Sequence, residues 1–234
     1  MELALLSREG IEFLSRWLHV FFGIIWIGHL YYFNFVQGAF MAEAKAETKP
    51  DVLAKLLPKA MWWFRWGAMW TMVTGVAMLG LYGKQYFSVD TGWTSTGVMI
   101  MTGSLFALTM WANVWFIIWP NQKIVIANAN AVLGGAAANP AAAAAAPKAL
   151  LASRTNTLFS IPMLFFMLSA RHLGITLTPE SNVGGYFAAI FVVWAVVEGN
   201  AIKGKLGPIT TIKGVITWGF VLTAVVYALL EVLL

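Results

Sequence analysis

The sequence contains no cysteine. Disulfides, thiolate metal sites, iron–sulfur clusters and covalently attached c-type haem are therefore excluded, and any redox cofactor must be held by histidine or without a covalent bond. Charge is scarce as well. Asp, Glu, Lys and Arg make up 11% of the 234 residues, against about 25% in soluble domains. No basic stripe marks a soluble module, which argues against a nucleic-acid partner. No cleavable signal peptide is evident, because the first apolar stretch carries Glu12 and Arg16 and continues as a full span.

What is present is apolar and aromatic. Hydrophobic residues make up 60% of the chain, with twelve Trp, and the mean hydropathy is +0.75. That excess is too large for one water-soluble core. It fits an all-α polytopic membrane helix bundle, in which helix faces meet lipid or other helices, and Trp concentrates at the interfaces. Six spans are expected, over residues 11–36, 61–82, 97–119, 150–172, 184–201 and 209–234. Each approaches the ~20 residues needed to cross the hydrocarbon layer. Pro162 marks a kink in the fourth.

Eleven of the fifteen Lys and Arg fall in alternate loops or at their span junctions, the remaining four being Arg8, Arg16, Lys84 and Arg171. The positive-inside rule then puts both termini outside the cytoplasm and points to a bacterial inner membrane. The chain reads as a single integral membrane domain. Residues 42–60 mix charge with a Val52, Leu53, Leu56 and Leu57 stripe and read as an amphipathic segment on the inner membrane surface. The Ala-rich stretch 134–149 reads as a low-complexity spacer loop.

The first span poses a chemical question. Glu12, Arg16, His19, Gly23, Trp26, Leu30 and Asn34 fall on one face at 100° per residue. A polar stripe on a spanning helix should face the bundle interior, and ionisable groups there are candidates for function. His29 lies ~15 Å further along the axis than His19 and about 80° round, so the two cannot clamp one planar cofactor. His172 ends the fourth span at the same face as His19. The His19 and His172 pair, with Arg16 nearby, could ligate one non-covalent b-type haem, with His29 as a lesser alternative. The simpler alternative is a pair of interhelical hydrogen bonds.

At the cytoplasmic ends a second set of polar groups recurs. It comprises Asn34, Arg65 and Trp66, then Asn113, Asn121, Gln122 and Lys123, then Arg154, Asn156 and Glu198. An aromatic belt with snorkelling cations accounts for Trp62 and Trp63. It accounts less well for the amides. A pocket for a flat, anionic guest would use all of them: Arg65 and Arg154 for charge, the amides for ring edges, a Trp face for stacking. Glu198 would be either a proton acceptor or an arginine's partner.

Four stretches, "RWLHVFFGIIWIGHLYYFNFVQ", "WWFRWGAMWTMVTG", "NVWFIIWPNQKIVI" and "LLASRTNTLFSIPMLFFM", follow one another in this order along the chain. Together they resemble the membrane domain of cytochrome-c-linked urate oxidase, also called membrane urate hydroxylase. The resemblance implies oxidation of urate or a related purine, with electrons passed to a c-type cytochrome. Fuller family members carry that cytochrome as a following domain. This sequence has no CxxCH motif, so the resemblance implies a separate cytochrome here. The alternatives are a haem-binding or structural accessory subunit of a respiratory complex, and a carrier of purine-like anions. The carrier reading lacks the paired broken helices usual in transporters.

Overall fold

A computed structural model describes residues 4–234, and among them there are helices and turns but no strand. Helix α1 (Arg8–Tyr31) passes through a π-helical turn, Tyr32–Gln37, into α2 (Gly38–Glu43). A short α3 (Thr48–Asp51) and a second π turn, Val52–Leu56, lead into α4 (Leu57–Leu81). Helix α5 (Ser95–Ala112) continues through a third π turn, Asn113–Ile118, into α6 (Trp119–Leu133). The long α7 (Pro140–His172) is followed by α8 (Val183–Lys203) and α9 (Ile212–Leu233).

Short polar side chains start these helices. The oxygens of Ser7, Thr94, Asn182 and Thr211 each accept from a glycine N–H three residues on, at Gly10, Gly97, Gly185 and Gly214. Each cap satisfies one of the N–H groups that a helix's first turn leaves without a partner.

The six expected spans each overlap a long helix or helix run, with 61–82 running past the end of α4 and 209–234 past both ends of α9. Four of these, Arg8–Glu43, Ser95–Leu133, Val183–Lys203 and Ile212–Leu233, are long and apolar enough to cross a membrane. The other two are α4 and α7. Helix α4 carries Lys59, Arg65 and four Trp, and α7 carries Arg154 within a Ser/Thr/Asn run, which lowers their hydropathy. Helix α7 continues through Pro162.

One expectation needs correction. The Ala-rich spacer is a loop only in its first half. Residues 140–149 form the first turns of α7, and Ala142, Ala145 and Ala149 are buried. Alanine has the highest helix propensity, and Asn139 caps this start by accepting from Ala141 N–H at 2.9 Å. The 42–60 segment contains the expected short helix. From Thr48 it is helical up to and into α4, and it packs on α6, with Leu57 buried.

The chain forms two compact units. The first comprises Met1–Gly80 and Trp111–Ser153; the second, Leu81–Met110 and Arg154–Leu234. In the first, α1 packs on α4 at Gly67, where a Cβ would meet Ile25 Cγ2 at 2.9 Å and Trp26 N at 3.0 Å. Phe33 meets Phe64 edge-on at 5.3 Å. In the second, Phe106 packs on Phe159 at 5.2 Å and Phe165 on Tyr227 at 5.6 Å. The Tyr186 hydroxyl lies 3.0 Å from Thr102 Oγ1. Ser181 Oγ and Asn182 N–H donate to the carbonyls of Leu234 and Leu233, tying the last helix to the start of α8.

Candidate functional site

Only the far end of the α1 stripe is buried; Arg16 is exposed, and Glu12, His19 and Gly23 are half-buried. Trp26, Leu30 and Asn34 are 1%, 0% and 2% exposed. Asn34 Nδ2 donates to Leu30 O at 2.9 Å and to Ser153 Oγ at 2.8 Å. Its Oδ1 is buried without a hydrogen-bond partner, as is Gln37 Oε1. Both residues sit in the first π turn. A π turn inserts an extra residue into the helical repeat and re-aims the side chains beyond it, and such turns occur often at functional sites. The sequence alone did not mark Gln37, because an α-helical count from Asn34 gives no reason to single it out.

Arg65 is held by α4 and the third π turn. Its Nε donates to Met61 O at 3.2 Å, and its guanidinium carbon lies 3.5 Å from the Trp119 ring centroid and 5.6 Å from that of Trp115. Lys123 Nζ lies 5.7 Å from the same Trp119 ring. Trp66 meets Trp115 edge-on at 5.8 Å. Among the described residues no carboxylate pairs with Arg65 or Lys123. Cation–π attraction holds each cation over an indole, but it does not cancel their charge. This corner of the first unit is therefore suited to an anion.

The amides of this unit divide. Asn121 Nδ2 is turned onto its own helix, donating to Ile117 O at 2.8 Å, while Gln122 Oε1 is buried and unpartnered. Asn113 is buried in the third π turn.

Arg154, Asn156 and Glu198 belong to the second unit, and all three are buried. Asn156 Nδ2 donates to Met110 O at 2.9 Å. Arg154 is 9% exposed, and its Nε and Nη1 have no hydrogen-bond partner. Desolvating a guanidinium without compensating hydrogen bonds is expensive. In the same unit, Trp194 Nε1 donates to Thr109 Oγ1 at 2.8 Å, a polar link that the sequence pattern does not announce.

His19 is partly buried, and its Nδ1 lies 3.0 Å from Thr74 Oγ1. The Thr74 hydroxyl itself donates to Trp70 O at 2.7 Å. His29 Nδ1 lies 2.7 Å from Ile25 O. A carbonyl oxygen only accepts, and Thr74 has already committed its proton. In the neutral ring, Nδ1 of both histidines therefore carries the hydrogen and Nε2 keeps its lone pair. That is the tautomer a metal-ligating imidazole needs, so the Nε2 atom of either His19 or His29 would be chemically suited to hold a haem iron. His172 is exposed at the end of α7 and belongs to the second unit. Arg16 pairs with Glu12 one turn away on α1. Among the described residues no group of three or more His, Asp or Glu gathers as a metal site.

Comparison with known proteins gives one match. Residues 81–230, more than half of the chain, match the family model described as "Urate oxidase N-terminal". No curated protein and no solved structure matches the chain. Arg154, Asn156 and Glu198 lie within the matched stretch, and so do Asn113, Asn121, Gln122, Lys123 and His172. The chain belongs to the urate oxidase N-terminal family.

Proposed function

We propose that this chain is a membrane-embedded oxidoreductase that oxidises urate or a related purine and passes the electrons to a c-type cytochrome. The single observation carrying the reading is Arg154, a buried guanidinium with two nitrogens left without partners, inside the family-matched stretch. Among the described residues no carboxylate pairs with Arg154. A buried cation so left calls for an anionic guest, and urate at neutral pH is a planar anion. Arg154 supplies charge and forked donors. Asn156, two residues on, is fixed by Met110 O and keeps this stretch of α7 in place. Glu198, buried in the same unit, is the proposed proton acceptor.

In the overall reaction urate loses two electrons as water adds and two protons leave, giving a hydroxylated purine. Two equivalents of ferric cytochrome c take the electrons singly. His19, presenting the Nε2 lone pair, would hold a b-type haem, and the haem when bound would supply a one-electron relay. The proposed location is a bacterial inner membrane, supported by the four apolar helices and the lysine-rich alternate loops.

The test is urate-dependent reduction of added cytochrome c by the detergent-purified chain. Arg154→Ala should abolish it. The same assay on Arg65→Ala tells whether the Trp119 corner contributes. Full activity in Arg154→Ala would overturn the assignment.

A further inference from the structure

The first unit carries an open groove of about 320 Å³ along one side of α4. Its walls are Trp62, Trp63, Trp66 and Trp70, with Phe22 and Ile25 of α1 opposite. The four indoles are 37–52% exposed. Gly67 also lines it, and the close approach of α1 that Gly67 permits sets its depth. Phe22 stacks on Trp70 at 6.0 Å and 28°, and Trp62 meets Trp63 edge-on at 4.9 Å. The walls are aliphatic and aromatic carbon with indole N–H donors, and no side chain among them accepts a hydrogen bond.

Helical spacing places Lys59 on the same face of α4 as Trp62, Trp63, Trp66 and Trp70. It precedes Trp63 by ~6 Å and Trp70 by ~16 Å along the axis. Lys59 is exposed, and among the described residues it makes no ion pair, whereas the neighbouring Lys55 is held by Asp51. A free cation thus stands one turn before an apolar channel as long as about a dozen methylenes.

We propose that this groove is a binding site for an anionic phospholipid, with one acyl chain against the Trp walls and the phosphate on Lys59. It rests on the proposed membrane placement. Charge complementarity selects an anionic headgroup, since a surface cation attracts anionic lipid and its hydrocarbon stem can lie along the apolar wall. The missing acceptors disfavour a polar ring, whose N–H or O–H groups would go unpaired in the groove.

Native mass spectrometry of the full chain in detergent, titrated with phosphatidylglycerol or phosphatidylcholine, tests the site. The wild type should retain phosphatidylglycerol preferentially. Lys59→Gln should weaken that retention roughly fivefold, and Lys55→Gln should leave it unchanged. Trp66→Ala should lower retention of both lipids, with circular dichroism confirming that the variant folds. Equal retention of the two lipids by the wild type, or unchanged phosphatidylglycerol binding in both Lys59→Gln and Trp66→Ala, overturns the proposal. A chain that needs detergent yet retains no lipid refutes the groove alone. A chain that stays soluble without detergent refutes the membrane placement with it.

Discussion

Thr74 holds His19 in one tautomer. Its hydroxyl proton is spent on Trp70 O at 2.7 Å, so at 3.0 Å from His19 Nδ1 it can only accept. Gly75, the next residue, makes room for the ring: a Cβ there would lie 3.0 Å from His19 Cε1. Two adjacent residues of α4 thus set the proton and the position of an imidazole on α1.

If His19 ligates a haem, that hydrogen bond sets the affinity. The purified protein should show a dithionite-reduced b-type spectrum, and His19→Ala should lose it. Thr74→Val keeps the volume but removes the acceptor. Losing such an outer partner typically weakens a site about 10–100-fold, so haem should dissociate at lower detergent dilution. A colourless wild-type preparation would end the haem assignment.

Gly67 should be the least replaceable position on α4. An added methyl would strike the backbone of α1 at Trp26 N, 3.0 Å away, as well as Ile25 Cγ2. Backbone cannot rotate aside as a side chain can, so the helices must separate. Overpacking of this kind costs about 1–3 kcal/mol. Gly67→Ala should lower the thermal midpoint of the detergent-solubilised protein, while Gly80→Ala, with nothing within 4 Å of its Cβ, should not.

Asn34 ties the π turn after α1 to the middle of α7 through Ser153 Oγ at 2.8 Å. Asn34→Ala removes a buried amide and with it the donor that serves both acceptors. Loss of such a buried hydrogen-bonding group costs about 1–3 kcal/mol. Ser153→Ala should cost less, because Asn34 Nδ2 keeps its second acceptor, Leu30 O. Thermal melts of the two variants give the comparison, and equal losses would contradict it.

The stripe running from Glu12 to Asn34 was legible because residues three or four apart return to one face of an α-helix, and Trp26 and Leu30 are buried as that count requires, although Arg16 on the same face is exposed. The count fails at Tyr32–Gln37, Val52–Leu56 and Asn113–Ile118, where the backbone widens to π turns that no local sequence signature announces. Gln37 was invisible for that reason. Residues 140–149 were misread because alanine carries no apolar stripe; the Asn139 and Pro140 pair was the usable signal. The arginine and amide residues of the candidate site could be named from the sequence. Which of them lacks a partner could not, because that depends on what the folded chain brings near each nitrogen.

Arg154 offers the sharpest separation of folding from function. Without a guest, its unpartnered Nε and Nη1 leave a desolvated charge that costs stability. Replacing it with methionine keeps much of the volume and removes the charge. Arg154→Met should therefore raise the thermal midpoint of the ligand-free protein while abolishing urate-dependent electron transfer, the exchange expected where a site is strained for its ligand. Urate should raise the midpoint of the wild type and leave that of Arg154→Met unmoved, because only a ligand that binds the folded state shifts its stability. If Arg154 instead serves the fold alone, the variant should melt lower and urate should shift both proteins equally.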